Sequence, residues 1–135
     1  MAVIFVAHSK QIALWGNDVG LGKSLYLLSV AADADAATEF LATKPCGAED
    51  WLLLKQESRE IADDAALLEK LAKREKRVDP MLYPRLKGFT GLFKIKAENV
   101  ENHLLVKLAL EDMDTSKVKV KPTDVAAYML LNALK

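Results

Sequence analysis

Residues 15–24, WGNDVGLGKS, contain the residue types of a phosphate-binding loop. In such a loop, backbone N–H groups, a lysine and a hydroxyl bind the phosphate chain in the order G-x-G-K-S. The residues that match this order are Gly20, Gly22, Lys23 and Ser24. The complete pattern also needs glycine at position 17, where this chain has Asn17.

A phosphate-binding loop must be followed by a helix whose N-terminus points at the phosphates. The residues after Ser24 are LYLLSV, an apolar run of strand length. We therefore predict that residues 16–24 form a glycine-rich turn between strands, and nucleotide binding there is the minor alternative.

Other residue types that could carry chemistry do not occur in a catalytic spacing. Neither His8 nor His103 has a second histidine or a cysteine at metal-ligand spacing. Ser9 follows His8 directly, and adjacent residues of a strand point to opposite faces, so we do not expect them to act as nucleophile and base. The sequence predicts no catalytic residue, no metal and no cofactor.

The composition is that of a single globular domain. The chain has 135 residues, about half of them apolar, and a formal net charge of zero. The first ten residues, MAVIFVAHSK, have no basic segment and too few apolar residues for a signal peptide or a membrane span. The only cysteine, Cys46, excludes an internal disulfide. We predict a cytoplasmic protein with no membrane partner.

The hydrophobic pattern predicts an α+β fold with a small, mainly antiparallel sheet of three to four strands flanked by helices. Strands are expected at 3–7, 25–30, 50–55 and 92–96, and residues 9–24 are read as a loop with a turn of strand at 12–15. Helices are expected at 33–43, 63–78, 97–112 and from 123 onward. Residues 1–112 would form the core domain, and residues 113–135 a connector and a C-terminal helix packed on it.

The order of these elements over residues 3–96 resembles the phage-derived branch of the GIY-YIG nuclease superfamily. The segments that carry the resemblance are VIFVAHS, LYLLSVAAD, ADAATEFLAT, DWLLLK, ALLEKLAKREKRV and GLFKI. Tyr26 falls at the second signature tyrosine of that family, Glu69 at its metal-binding glutamate and Phe93 at its closing aromatic residue.

Several of the nuclease's active-site residues are replaced in this chain. Phe5 stands in place of the first signature tyrosine, and Lys73 in place of the histidine one turn after the glutamate. Residues 1–58 contain no arginine, so the helix at 33–43 cannot supply a cation to the phosphoryl group. The resemblance thus implies a catalytically silent relative that keeps the scaffold and a basic binding face.

Charge is distributed unevenly along the chain. Residues 31–69 contain ten acidic against three basic residues, and residues 70–96 contain nine basic against two acidic residues. Such asymmetry indicates an anionic partner for one face.

We predict a non-catalytic module that binds the DNA or RNA backbone weakly and with little sequence preference. The residues expected to bind are Lys70, Lys73, Arg74, Arg77, Arg85 and Lys87. Three of these, Lys73, Arg74 and Arg77, would share a helix face because they lie three and four residues apart. The alternative is a domain that binds another protein or itself and has no role with nucleic acid.

Overall fold

The computed structural model describes residues 2–86, 89–112 and 119–134. Its strands are β1 (Ala2–His8), β2 (Leu25–Ala31), β3 (Leu52–Arg59), β4 (Lys76–Arg77) and β5 (Leu92–Lys94). They form one sheet in the order β3-β1-β2-β5-β4, in which every neighbouring pair is antiparallel. The helices are α1 (Lys10–Asp18), α2 (Ala34–Ala42), α3 (Asp64–Ala72), α4 (Ala97–Leu110) and α5 (Pro122–Leu134).

Alternate residues of the central strands enter two different cores, because successive side chains of a strand point to opposite faces. The face covered by α3, α4 and α5, here the α5 face, buries Ile4, Val6, Tyr26, Leu28 and Phe93. The face covered by α1 and α2, here the α1 face, buries Val3, Phe5, Leu25, Leu27 and Leu92. The sheet is therefore the middle layer of the fold.

The α+β class and the antiparallel sheet are as the sequence predicted, but the sheet has five strands rather than three to four. The additional strand is β4, which the sequence placed inside a helix over 63–78. That helix ends at Ala72, and its apolar stripe ends at Leu71, which is fully buried. Beyond it, Val78 is buried in the core of the α1 face, and its N–H donates to the Leu92 carbonyl 2.9 Å away. Tertiary pairing with β5 therefore overrides the local helix preference.

Helix α1 lies where the sequence predicted a loop and a turn of strand, so that prediction is wrong. Ser9 caps the helix, since its Oγ accepts a hydrogen bond from the Ile12 N–H at 3.2 Å. Gly16 is buried on the inner side of α1, and a Cβ there would collide with the Leu25 side chain and the Gly22 carbonyl. The glycine that made the segment resemble a loop is therefore required by close packing against β2.

Ser9 also joins α1 to Asp50, which lies just before β3. The Ser9 hydroxyl donates to Asp50 Oδ1, and the Gln11 N–H donates to Asp50 Oδ2 at 3.2 Å. Burial alone would raise the pKa of Asp50, but these hydrogen bonds outweigh it and hold the pKa below its ordinary value. Ser9 itself is fully buried, so the hydroxyl is a structural group and not an accessible nucleophile.

We expect Ser9→Ala to lower the free energy of unfolding by about 1–2 kcal/mol, because α1 loses its cap and Asp50 loses a donor. Urea denaturation of both proteins measures the difference. The matched control is Ser58→Ala at an exposed position of β3, where the change should stay within about 0.5 kcal/mol. Equal effects of the two substitutions would contradict the structural role of Ser9.

Helix α5 closes the α5 face and packs against α3, α4, β1 and β3. Most of its residues are buried, among them Tyr128 and Met129. Within residues 2–86, 89–112 and 119–134, no helix has the length and apolar character needed to cross a membrane.

Candidate nucleic-acid interface

The structure distributes the predicted basic residues over several elements. Lys70 is exposed on α3, Lys73 is the C-cap residue of that helix, and Arg74 follows it. Arg77 lies in β4 and not on α3, so the helix face that the sequence predicted for Lys73, Arg74 and Arg77 does not form. The reason is the early end of α3 described above.

Arg85 is held in contacts within the protein. Its Nε donates to the Cys46 carbonyl at 2.9 Å and its Nη2 to the Gly47 carbonyl at 3.3 Å. The guanidinium also lies over the Trp15 ring, 6.0 Å from its centre. The structure therefore does not bring Arg85 to Arg74, which lies beside α4 and α5 on the other face of the sheet. The predicted residue Lys87 lies outside the described residues.

We expect Arg85→Ala to destabilise the fold by about 1–3 kcal/mol, because two backbone carbonyls lose a charged donor. Arg74→Ala is the matched control, since Arg74 is exposed and should change stability by no more than about 0.5 kcal/mol. Thermal and urea unfolding of the two variants provide the comparison. An unaffected Arg85 variant would mean that its contacts with Cys46 and Gly47 add nothing to stability.

The same contacts explain the state of the only cysteine. Cys46 is buried, and burial raises the pKa of its thiol to about 11, although the nearby Arg85 charge acts in the opposite direction. A thiol with that pKa is almost entirely protonated at neutral pH and is a poor nucleophile. Cys46 is therefore a packing residue.

Pairing of β4 with β5 collects basic side chains at one edge of the sheet. We call this set the basic edge, and its members are Lys73, Arg74, Lys76, Arg77, Lys94 and Lys96. Lys76 lies directly opposite Lys94 in the antiparallel register. Like charges in that position destabilise a sheet by their mutual repulsion. Lys76, Lys94 and Lys96 were not among the predicted site residues, although the alternation in LFKIK placed Lys94 and Lys96 on one strand.

Arg77 is held in place by contacts with Phe93 of β5 and with Thr90, which precedes that strand. It lies opposite Phe93, its guanidinium is 5.9 Å from the centre of that ring, and its Nε donates to the Thr90 carbonyl at 2.9 Å. These contacts hold the planar cation at a fixed place on the edge strand, while leaving the other guanidinium N–H groups for a ligand.

Glu75, the acidic residue between Arg74 and Lys76, is buried. Glu75 is only 3% exposed, and its carboxylate accepts hydrogen bonds from the Lys96 N–H at 2.9 Å and from Asn99 Nδ2 at 2.9 Å and 3.2 Å. The ion pairs found among the described residues are Lys44–Glu49 and Glu57–Arg59, and neither involves the basic edge. The charge of this edge is therefore available to an anion.

A polar groove of about 480 Å³ continues from Arg74 between α4 and α5. Its polar lining consists of Asn99, Asn102, His103, Tyr128 and Asn132. The His103 and Tyr128 rings meet nearly edge to face, with centres 5.6 Å apart. Burial, followed by the nearby Glu75 charge, raises the pKa of Tyr128, so its hydroxyl stays protonated and can donate a hydrogen bond.

The phosphate-loop residues lie in a turn, but this turn joins α1 to β2 and not two strands as the sequence predicted. Gly20 and Gly22 have φ values of +83° and +85°, which favour glycine, and β2 begins directly after Ser24. The Ser24 carbonyl accepts a hydrogen bond from the Ile95 N–H at 2.9 Å, which joins the turn to the end of β5. Because a strand follows Ser24, the turn does not lead into the helix N-terminus that a nucleotide phosphate would need.

We expect Lys23→Ala to change the free energy of unfolding by no more than about 0.5 kcal/mol, because Lys23 is an exposed turn residue. Addition of ATP and Mg²⁺ should leave the melting temperature of the wild type unchanged. A magnesium-dependent rise of several degrees that Lys23→Ala abolishes would show that the turn binds nucleotide.

The residues that carry the nuclease resemblance do not form a metal site within the described part of the chain. Tyr26 and Phe93 are cross-strand partners in the core of the α5 face, and Glu69 is exposed on α3. Within the described part of the chain, no three His, Cys, Asp or Glu side chains lie close enough to share a metal ion. No family model, curated protein or solved structure matches this chain. The relationship to GIY-YIG nucleases therefore stays a prediction.

Proposed function

We propose that this protein is a non-catalytic module that binds the sugar-phosphate backbone of DNA or RNA through its basic edge. The observation that carries the proposal is the Lys76–Lys94 cross-strand pair. Two ammonium groups placed opposite each other weaken the sheet, and a phosphate bound between them would remove the repulsion. Arginine and lysine side chains are the usual donors to phosphate oxygens.

The location of these bases at a sheet edge suits an extended ligand. β4 is the outermost strand beside β5, so a backbone can run along it without meeting another strand of the described sheet. Acidic residues such as Glu57 and Glu60 lie on or next to β3, which is the opposite edge. Their repulsion of the same ligand would confine it to the basic edge.

We expect binding to be electrostatic and tolerant of sequence. Phosphate contacts fix position and carry no base information, and each neutralised phosphate adds about −0.7 to −0.9 to the slope of log K against log salt. A ligand that engages four to six members of the basic edge would give a slope between about −3 and −5. The dissociation constant at physiological salt should be micromolar or weaker.

The substitution Lys76→Glu separates this function from stability. It replaces a repulsive pair with an attractive one, so we expect the free energy of unfolding to rise by about 0.2–1 kcal/mol. Fluorescence anisotropy with labelled DNA and RNA should show weaker binding to every sequence and a salt slope smaller by about one.

Lys107→Glu provides the matched control, because Lys107 is exposed on α4 and outside the basic edge. It makes the same change in net charge and should leave the salt slope close to wild type. If wild-type protein shows no salt-dependent binding at low ionic strength, or both variants lose affinity equally, the basic edge is not a nucleic-acid site.

Protein binding is the second candidate function, and exposed apolar side chains on α4 and α5 favour it. Val106, Leu110 and Leu131 are 60%, 83% and 46% exposed. Val106 and Leu131 both line the groove that begins at Arg74. Clustered apolar exposure of this kind is typical of interaction surfaces. Absence of nucleic-acid binding in the experiment above would leave this candidate in its place.

A further inference from the structure

Strand β3 forms the other edge of the sheet and differs from β4 in length. It has eight residues, pairs with β1 on one side and has no strand of the described residues on the other. Its outer backbone N–H and C=O groups are therefore available to another strand.

We propose that two copies of this chain associate by antiparallel pairing of their β3 strands, with the two-fold axis at Gln56. The two sheets would then form one continuous sheet with five strands from each copy. At this register Lys55 lies opposite Glu57 of the second copy, and Glu57 lies opposite Lys55 of the second copy. Opposite charges at directly paired positions stabilise an antiparallel sheet.

Other symmetric registers are disfavoured by charge or by length. In an antiparallel pair, two opposite residues either both point their N–H and C=O groups at each other or both point them away. The two-fold axis of a symmetric pair therefore lies midway between one residue and its own copy. An axis at Lys55 or at Glu57 places that charge against its own copy. An axis at Leu54 overlaps only residues 52–56 and falls on the residue that the β1–β3 bulge leaves without a partner. An axis at Ser58 pairs Glu57 with Arg59 but overlaps only residues 57–59 of β3. The axis at Gln56 lies near the middle of the strand and overlaps most of it.

The surface beside β3 on the α5 face is suited to the same partner. The register with β1 places Lys55 opposite Val6 and Glu57 opposite Ile4. Val6 and Ile4 are buried in the core of the α5 face, so Lys55 and Glu57 lie on that face of the sheet. These two charged residues and Arg59 border a groove of about 340 Å³ against α5. The apolar wall of this groove consists of Ala127, Leu130, Leu131 and Leu134.

A two-fold axis perpendicular to the sheet would place both α5 helices on the same side of the continuous sheet. The aliphatic part of Lys55 of the second copy would then extend over the α5 groove towards Glu57. One partner would thus cover the strand edge and the groove together. Glu57 already contacts Arg59 at 2.8 Å, and the arriving lysine would complete a network of two cations about one carboxylate.

The β1–β3 ladder contains a bulge next to Lys55, between the pairs Val6–Lys55 and Ala7–Leu53. Bulges and charged residues commonly protect strand edges from unspecific pairing. Here the ladder beyond the bulge is regular over residues 55–59, which include the paired charges Lys55 and Glu57. The charges would then select one register and one partner instead of excluding all partners.

The experiment uses the full chain in sedimentation equilibrium, with Lys55→Glu and Glu57→Lys examined alone and mixed. We expect the wild type to dimerise and each single variant to dissociate at least about tenfold more readily, because each opposes like charges twice across the axis. The equimolar mixture should dimerise like the wild type, since both cross-axis pairs of its heterodimer again join a glutamate to a lysine.

Lys107→Glu is the matched control, and it should dimerise like the wild type. Circular dichroism melts establish that each variant is folded. The equimolar mixture tests the charge pairing again, with both substitutions present in one dimer. A monomeric wild type at high concentration, single variants that dimerise normally, or a mixture that stays monomeric would each overturn the proposal. Loss of dimerisation leaves the salt slope of nucleic-acid binding at the basic edge unaffected, so the two proposals fail separately.

Discussion

The candidate site depends on the hydrogen bonds that the buried Glu75 carboxylate accepts at the start of α4. Lys96 is the N-cap residue of α4 and provides no side-chain cap, and Glu75 accepts hydrogen bonds from the Lys96 N–H and from Asn99. A carboxylate at a helix N-terminus also compensates the positive end of the helix dipole. A buried charge needs such partners, so this group fixes α4 relative to the segment that follows α3.

This connection accounts for the arrangement of the basic edge. Glu75 faces the start of α4, and the chain then enters β4 in an extended conformation that pairs with β5. Successive side chains of extended backbone alternate in direction, so Lys76 lies against Lys94, and Arg77 against Phe93 on the opposite face. The one acid among these bases is thereby removed from the surface. The surface of this edge is therefore basic, because its neighbouring carboxylate is hydrogen-bonded within the fold.

Local signals in the sequence predict several elements well. The helix predicted over 33–43 forms as α2, and Asp33 caps it, because its side chain accepts a hydrogen bond from the Ala36 N–H at 2.8 Å. The apolar run 25–30 forms β2, and the first two strands pair antiparallel. The cap of α2 and the position of β2 depend on capping and periodicity, which act within a few residues.

The missed features depend on contacts between distant residues. Helix α1 was missed because Gly16 suggests a turn until its packing on Leu25 is known. β4 was missed because lysine, arginine and glutamate favour helix locally, and only the pairing with β5 favours a strand. Arg85 looked like its basic neighbours, yet its partners are carbonyls 38 and 39 residues away. Composition alone cannot separate such an internal base from a surface base.

We propose that the bases gathered by β4, β5 and the start of α4 bind a phosphate backbone. A titration of ¹⁵N-labelled protein with a short single-stranded DNA, followed by two-dimensional NMR at low salt, tests it residue by residue. We expect progressive shift changes at the backbone N–H groups of residues 73–77 and 94–96, which salt reverses. Shift changes confined to the turn at 19–24 or to β3, or no change at all, would contradict it.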